Sequence, residues 1–404
     1  MKFILTGLMT ILILGTMNSV FAMEQTSGPS HSSQVEVHLP NGMTGIASPL
    51  YTTQGAPANY VVPAGGTLDG VADILWTSTT GPGTFRCSGS LLQSDPLGGD
   101  NDMIILTAAH CVDLNLDGTV DLASANVRFE RTGGDQTISV NVGQTMVAPG
   151  WDGQFLNGDD LAILVLNSAP SPDVNRYTWD TNPADDIGGD ANQVGYGRSG
   201  MLSQGDILSS GTKRAIQNDR DGTADATAIA FGAGAITPGY GIVLDGDNGL
   251  AANDACAIYG LCAAGLGNGI NEGLSAGGDS GGPSFNGVPD GNSPDEVQLV
   301  TSWGGTFFGP VSADINLALD SSAGELSVHT RTSIYASWIE STLKMKNKFE
   351  PPVQPPGPQI GGELLPIDTT ALFVSGLYSS AMWLAPIGAG IAGTGYYLIQ
   401  RLYK

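Results

Sequence analysis

Glycine and proline interrupt this chain so often that they decide what it can fold into: 58 glycines and 23 prolines are spread through 404 residues. Between residues 60 and 346, short apolar runs alternate with clusters of glycine, asparagine, aspartate and serine. Such punctuation suits many short strands joined by turns and works against a helical bundle. Ile104–Leu106, Leu161–Leu166 and Val297–Val300 read as strands, the second buried on both faces because its apolar run does not alternate. One segment reads as a helix, Ser333–Leu343, where Ile334, Tyr335, Trp338, Ile339 and Thr342 form an apolar stripe at helical spacing. No fixed repeat is present. With 41% hydrophobic residues to fill a core, the expectation is an all-β domain with one late helix docked on it.

The two ends of the chain read differently. Lys2, the apolar run Phe3–Leu14 and the small residues around Val20-Phe21-Ala22 form an export signal, residues 1–22, with cleavage expected after Ala22. Residues 23–59 follow as an N-terminal extension or propeptide. Near the other end, the 32 residues from Thr369 to Gln400 carry no charge, enough to cross a bilayer as a helix and bounded by the basic tail 401–404. Pro386 and the five glycines in this stretch are tolerated in membrane helices. The linker 347–368 holds Glu350-Pro-Pro-Val-Gln-Pro-Pro-Gly-Pro-Gln359, a stiff spacer. This layout resembles that of microbial surface proteins with C-terminal sorting tails. Leu365-Pro-Ile-Asp-Thr369 is loosely similar to a sorting motif, which implies a tail-processing peptidase and a protein shown at the surface or released.

Acids outnumber bases 39 to 15, for a net charge of −24. Phosphate backbones need a basic surface, so nucleic acid is excluded as a partner. Four cysteines in an exported chain permit disulfides. Cys87 with Cys111 and Cys256 with Cys262 is one of three connectivities.

Three segments carry chemistry. Leu106-Thr-Ala-Ala-His-Cys111 sets His110 among small residues. Asp159-Asp160-Leu-Ala-Ile-Leu164 opens an apolar strand with an acid, and Asp160 abuts that strand while Asp159 reads as solvated. Gly277-Gly-Asp-Ser-Gly-Gly-Pro283 holds Ser280 in a backbone that glycine lets turn tightly. A serine hydroxyl becomes a nucleophile when an imidazole takes its proton, and the imidazole needs a carboxylate to fix its tautomer. The N–H groups of Gly278 and Ser280 are aimed to stabilise a developing oxyanion.

Together these segments resemble the trypsin and chymotrypsin-like serine proteases, in their chain order His110, Asp160, Ser280 and over residues 60–346. Ser302-Trp303-Gly304 is similar to the family strand that pairs with bound peptide backbone, and Tyr335-Ala-Ser-Trp-Ile339 to its C-terminal helix. Gly195-Tyr-Gly-Arg198 and Asp247-Asn-Gly-Leu-Ala-Ala252 resemble the secreted bacterial branch. The resemblance implies two antiparallel six-stranded β-barrels with the site between them, a Cys87–Cys111 disulfide, and a protein or peptide substrate cut by serine endopeptidase chemistry. It also puts Leu274 at the floor of the primary specificity pocket, beside Ser275 and with Gly304 and Gly305 as walls, for an uncharged residue. Glu272, two positions away, is the rival floor and would favour Lys or Arg. The chain departs from the family in having no Arg-Ile-Val-Gly-Gly activation site before Cys87, and in Ala276, which stands where a cysteine is usual.

Two other readings compete. Gly278-Asp-Ser280-Gly-Gly282 also satisfies the nucleophile elbow of an esterase, with His329 as the later histidine, but the chain lacks the alternating strands and helices that elbow needs. His329 reads instead as a surface or capping residue. A protease-like domain that only binds is the second rival, and such domains typically lose a triad member. Finally, Asp113, Asn115, Asp117 and Thr119 space oxygens at alternate positions, with Gly118 at the sixth, as in a calcium loop. Ser124 stands where a bidentate acid belongs. A structural calcium ion and a plain acidic turn are both open, and the chemistry requires no cofactor.

Overall fold

Burial along the strands separates those at the margins of a sheet from those at its centre. Arg214–Asp219 alternates buried and half-buried residues, whereas all four residues of Ala162–Val165 are buried, as the unbroken apolar run predicts. The computed structural model describes residues 56–93, 102–184, 186–287, 296–308 and 311–346, plus the backbone of 24–25, 35–38, 44–48 and 52–53. These residues belong to one unit, 1–348. The export signal, the linker 347–368, the apolar tail and its basic end lie outside the described residues. Among the described residues, no helix is long and apolar enough to cross a membrane.

The first sheet runs in the order Met146–Val147, Ala162–Val165, Ile104–Thr107, Phe85–Leu92, Val71–Ser78, Leu122–Phe129, Gln136–Ser139. It curls back on itself, because Val140 bridges Leu166 and Asn141 N–H donates to Val165 C=O at 2.7 Å. The second sheet has the main order Arg214–Asp219, Asp190–Gly195, Pro283–Phe285, Glu296–Phe308, Leu326–Arg331, Gly241–Asp245, Gly222–Thr223. Its two outermost strands are consecutive in the chain, and Asp221 N–H donates to Val243 C=O at 3.0 Å, so this sheet also curls.

Both sheets are wider than the six strands expected. Glu24–Gln25 adds to the first. Thr44–Ser48, itself paired with Val35–His38, adds to the second along Glu296–Phe308. The sequence reading had placed these residues in a featureless extension. Backbone pairing needs only an open edge and no distinctive side chains, so nothing in their composition announced it.

The late helix spans Thr332–Lys346. It buries Tyr335, Ile339, Thr342 and Leu343, while Ile334 is exposed. The expected stripe is therefore rotated toward Leu343. Short helices at Asp225–Ala230 and Ala255–Tyr259 were not anticipated, being too brief to show a helical period.

Candidate active site

His110 sits in a single 3₁₀ turn, Ala109–Cys111, directly after the strand Ile104–Thr107. Small residues make this turn possible: Ala108 and Ala109 are completely buried. The disulfide Cys87–Cys111 ties the turn to the neighbouring strand, and Cys256–Cys262 closes a second loop. Asp160 precedes the buried strand Ala162–Val165 and holds His110 by two bonds. The His110 backbone N–H donates to Oδ1 at 2.9 Å, and Nδ1 lies 2.7 Å from Oδ2. Ser302 Oγ also donates to Oδ2. Burial alone raises a carboxyl, but here the nearby His110 charge and the bonds from His110 and Ser302 outweigh it and hold Asp160 below its ordinary value.

Ser280 reaches the same place from the second sheet. Gly278 and Gly281 adopt φ of +101° and +80°, the region where side chains are strained. A Cβ on Gly281 would lie 2.0 Å from Thr107 Oγ1 and 2.8 Å from Ala108 N, so glycine is what lets the serine turn press against the histidine turn. Ser88 N–H donates to Ser280 C=O at 2.8 Å and Cys111 Sγ lies 3.6 Å from it. His110 Nε2 and Ser280 Oγ are both buried, and neither makes a hydrogen bond. Asp279 is turned inward, accepting from Gly197 N–H at 2.7 Å and Ala276 N–H at 3.1 Å.

The residues expected to line a specificity pocket divide by side. Leu274 packs with Leu202 and Ala323, and a Cβ on Gly246 would lie 2.5 Å from its Cδ1. Ser275 turns the other way, its hydroxyl 2.6 Å from Ser327 Oγ. Trp303 is buried against Phe155 and Phe231. Gly304 and Gly305 lie opposite Ser48 and Ala47 of the N-terminal segment. Glu272 is buried, accepting from Asn218 Nδ2 at 2.6 Å and Asn268 N–H at 2.7 Å.

Two residues differ from their expected settings. Asp159 is buried rather than solvated: it takes φ +61°, its carboxylate accepts from Thr237 Oγ1 at 2.8 Å, and its own N–H donates to Tyr335 Oη at 2.8 Å. It braces the turn that delivers Asp160. The preceding Gly158, at φ +97°, was the available clue. His329 is fully buried rather than at the surface. Its Nε2 lies 2.9 Å from Ser327 Oγ and its Nδ1 3.3 Å from Ser284 Oγ. Burial pushes the imidazole down to about 3. In the loop read as a calcium site, Asp113 accepts from Trp151 Nε1 and Gly118 N–H, both at 2.9 Å, and from Asp117 N–H at 3.2 Å. Asp117 in turn accepts from Asn115 Nδ2 and Thr119 N–H, each at 3.0 Å.

Two curled antiparallel sheets with few helices are consistent with the chymotrypsin fold. Residues 75–249 match the family model described as Trypsin, which supports a likeness to the trypsin/chymotrypsin-like serine proteases. The matched segment contains His110 and Asp160 and ends before Ser280. No curated protein matches the chain.

Proposed function

We propose that this protein is a serine endopeptidase that cuts peptide bonds through an acyl-enzyme, at the cell surface or after release from it. His110 Nε2 takes the Ser280 proton as Oγ attacks the peptide carbonyl. The N–H groups of Gly278 and Ser280 stabilise the resulting oxyanion. Asp160 keeps the His110 proton on Nδ1 and stabilises the imidazolium, which then protonates the leaving amine. Water repeats the sequence to free the acyl group. The observation that carries this reading is the state of the two reacting atoms. His110 Nε2 and Ser280 Oγ are buried and unbonded, while the histidine's backbone N–H and Nδ1 are fixed by Asp160. Burying polar atoms unpaired is costly, and here both atoms belong to turns that pack directly on one another, as the close approach of Gly281 to Thr107 and Ala108 shows.

The substrate backbone is proposed to pair with Ser302-Trp303-Gly304. Thr44–Ser48 runs antiparallel along this same strand, with Ser48 opposite Gly304, so in the described form a peptide must displace the chain's own extension.

An active-serine phosphonate probe tests the reading against a protein that only binds. The expected result is one label on Ser280, with turnover of a protein substrate falling about 10⁴- to 10⁶-fold in Ser280→Ala. No label, and a variant as active as the parent, would overturn it.

A further inference from the structure

The second sheet holds a group of acids for which peptide cleavage has no use. Asp245 ends the strand Gly241–Asp245, Asp247 follows in the next turn, and Asp254 caps the helix Ala255–Tyr259. They are 1%, 3% and 4% exposed, yet each offers a carboxylate oxygen within 4.8 Å of the other two. Asp221 approaches Asp245 just as closely. Among the described residues, no lysine or arginine ion pair reaches any of the four: Arg331 and Arg220 of this sheet bond to Asp186 and Gln298.

Three features separate this group from an ordinary acidic turn. The first is Asp247 itself: its Oδ1 is buried and without a hydrogen-bond partner, in a side chain already sheltered from water. A buried carboxylate oxygen without a donor, on a side chain grouped with two other carboxylates, lacks the positive partner that such burial demands. The second is preorganisation. Cys256 N–H holds Asp245 Oδ2 at 3.0 Å, and Ala257 and Gly265 N–H hold Asp254 at 2.6 and 3.3 Å, so two of the three acids are aimed by backbone. The third is the glycine loop that closes over them. A Cβ on Gly265 would lie 3.5 Å from Asp247 Oδ2 and 4.0 Å from Asp221 Oδ1, and one on Gly267 would lie 2.6 Å from Asp247 Cβ.

We propose that Asp245, Asp247 and Asp254, with Asp221 at the margin, bind one hard divalent cation of the calcium class. The donors are all oxygen. Cys256 adjoins Asp221 and Asp245, but its sulfur is committed to Cys262, which leaves no soft ligand for a transition metal. Several converging carboxylates suit calcium, which takes many oxygens in flexible geometry, better than magnesium, which keeps its waters. The cation joins the strand end, the helix cap and the glycine loop. Asn218 Nδ2 reaches from Asp245 C=O to Gly273 C=O, at 2.7 and 2.8 Å, and so links the site to the segment leading to Ser280.

The test uses the full chain carrying Ser280→Ala, so that self-digestion does not enter, first stripped with chelator. Equilibrium dialysis with calcium should give one tightly bound ion per chain, and calcium should raise the unfolding temperature more than equal magnesium. Asp247→Asn should weaken binding at least tenfold and remove the rise in unfolding temperature. Asp254→Ser, which keeps a helix-capping oxygen, should do the same and serves if the first variant does not fold. Asp117→Asn, in the other acidic loop, should leave both unchanged. No bound calcium at millimolar concentration would overturn the site. So would magnesium binding more tightly, or calcium binding that survives Asp247→Asn or is lost in Asp117→Asn.

Discussion

The two sheets are built alike and filled differently. The first is packed with Val71, Ile74, Trp76, Leu91, Ile105, Leu106, Val127, Phe129, Ile163 and Leu164, all at most 1% exposed. Its one buried acid in mid-strand, Asp73, is matched by Arg86 and Arg128 at 2.9 Å. The second buries Ile242, Val243, Leu244, Val297, Leu299, Val300 and Val328 just as fully, but shares its interior with His329, Ser284, Thr301 and Ser327, and has Ser275, Glu325 and the aspartates around Asp245 buried beside its strands. A neutral, closely packed interior gives a stiff frame for the His110–Asp160 pair. A polar interior has to satisfy each group by hydrogen bonds, protons or ions, and so responds to conditions. Both sheets also take up a piece of the N-terminal segment, two residues in the first and the longer run 44–48 in the second.

The largest effect that would sharpen this comparison comes from the disulfides. Cys87–Cys111 closes 24 residues of sequence in the first half, and Cys256–Cys262 closes 6 in the second. By loop entropy, replacing the first pair with alanines should cost about 3.5 kcal/mol and the second about 2.3. Urea unfolding of the two variants gives the order, and a costlier loss at Cys256–Cys262 would break the picture of the first half as the frame.

A somewhat smaller effect separates the interiors by pH. His329 is held neutral by burial, down to about 3 in the fold, while an unfolded chain would protonate it below about 6.5. Between those limits the unfolded state binds more protons, so stability must rise with pH and fall as acid is added. The contribution lost by pH 4 is roughly 3 to 4 kcal/mol, from 2.5 pH units at about 1.4 kcal/mol each. His329→Gln should flatten that part of the slope in urea midpoints measured from pH 4 to 7. An unchanged slope would mean that the imidazole is not buried as described.

The smallest effect tests the borrowed edge. Ile46 pairs with Glu36 on one side and Thr306 on the other, and Ile46→Pro removes an N–H from within this doubly paired strand and weakens its hold on the edge. Peptide turnover by the intact chain should rise about tenfold, worth roughly 1.4 kcal/mol, with the Ser280→Ala form inactive throughout. If turnover is unchanged while Ser280 still labels, the strand does not compete with substrate.

Much of the site was legible because its chemistry is local in sequence. His110 announces itself among alanines, Asp160 at the head of an apolar strand, and Ser280 in glycines that only a tight turn requires. The helix was legible for the same reason, through its period. Asp159 and His329 were misjudged because each looks like a surface residue until its neighbours are known. For Asp159 these are Thr237 and Tyr335, for His329 Ser284 and Ser327, all distant in the chain except Ser327.

By itself, then, the sequence determined the all-β character, the candidate site residues and the pairing partners open to the cysteines, since these follow from residue type and short spacing. Only the tertiary structure decided that residues 44–48 lie on the edge beside Gly304, and that Asp245, Asp247 and Asp254 meet in the interior. Backbone pairing is indifferent to side chains, and a carboxylate's cost depends on what surrounds it, so both are set by contacts between segments remote in the chain.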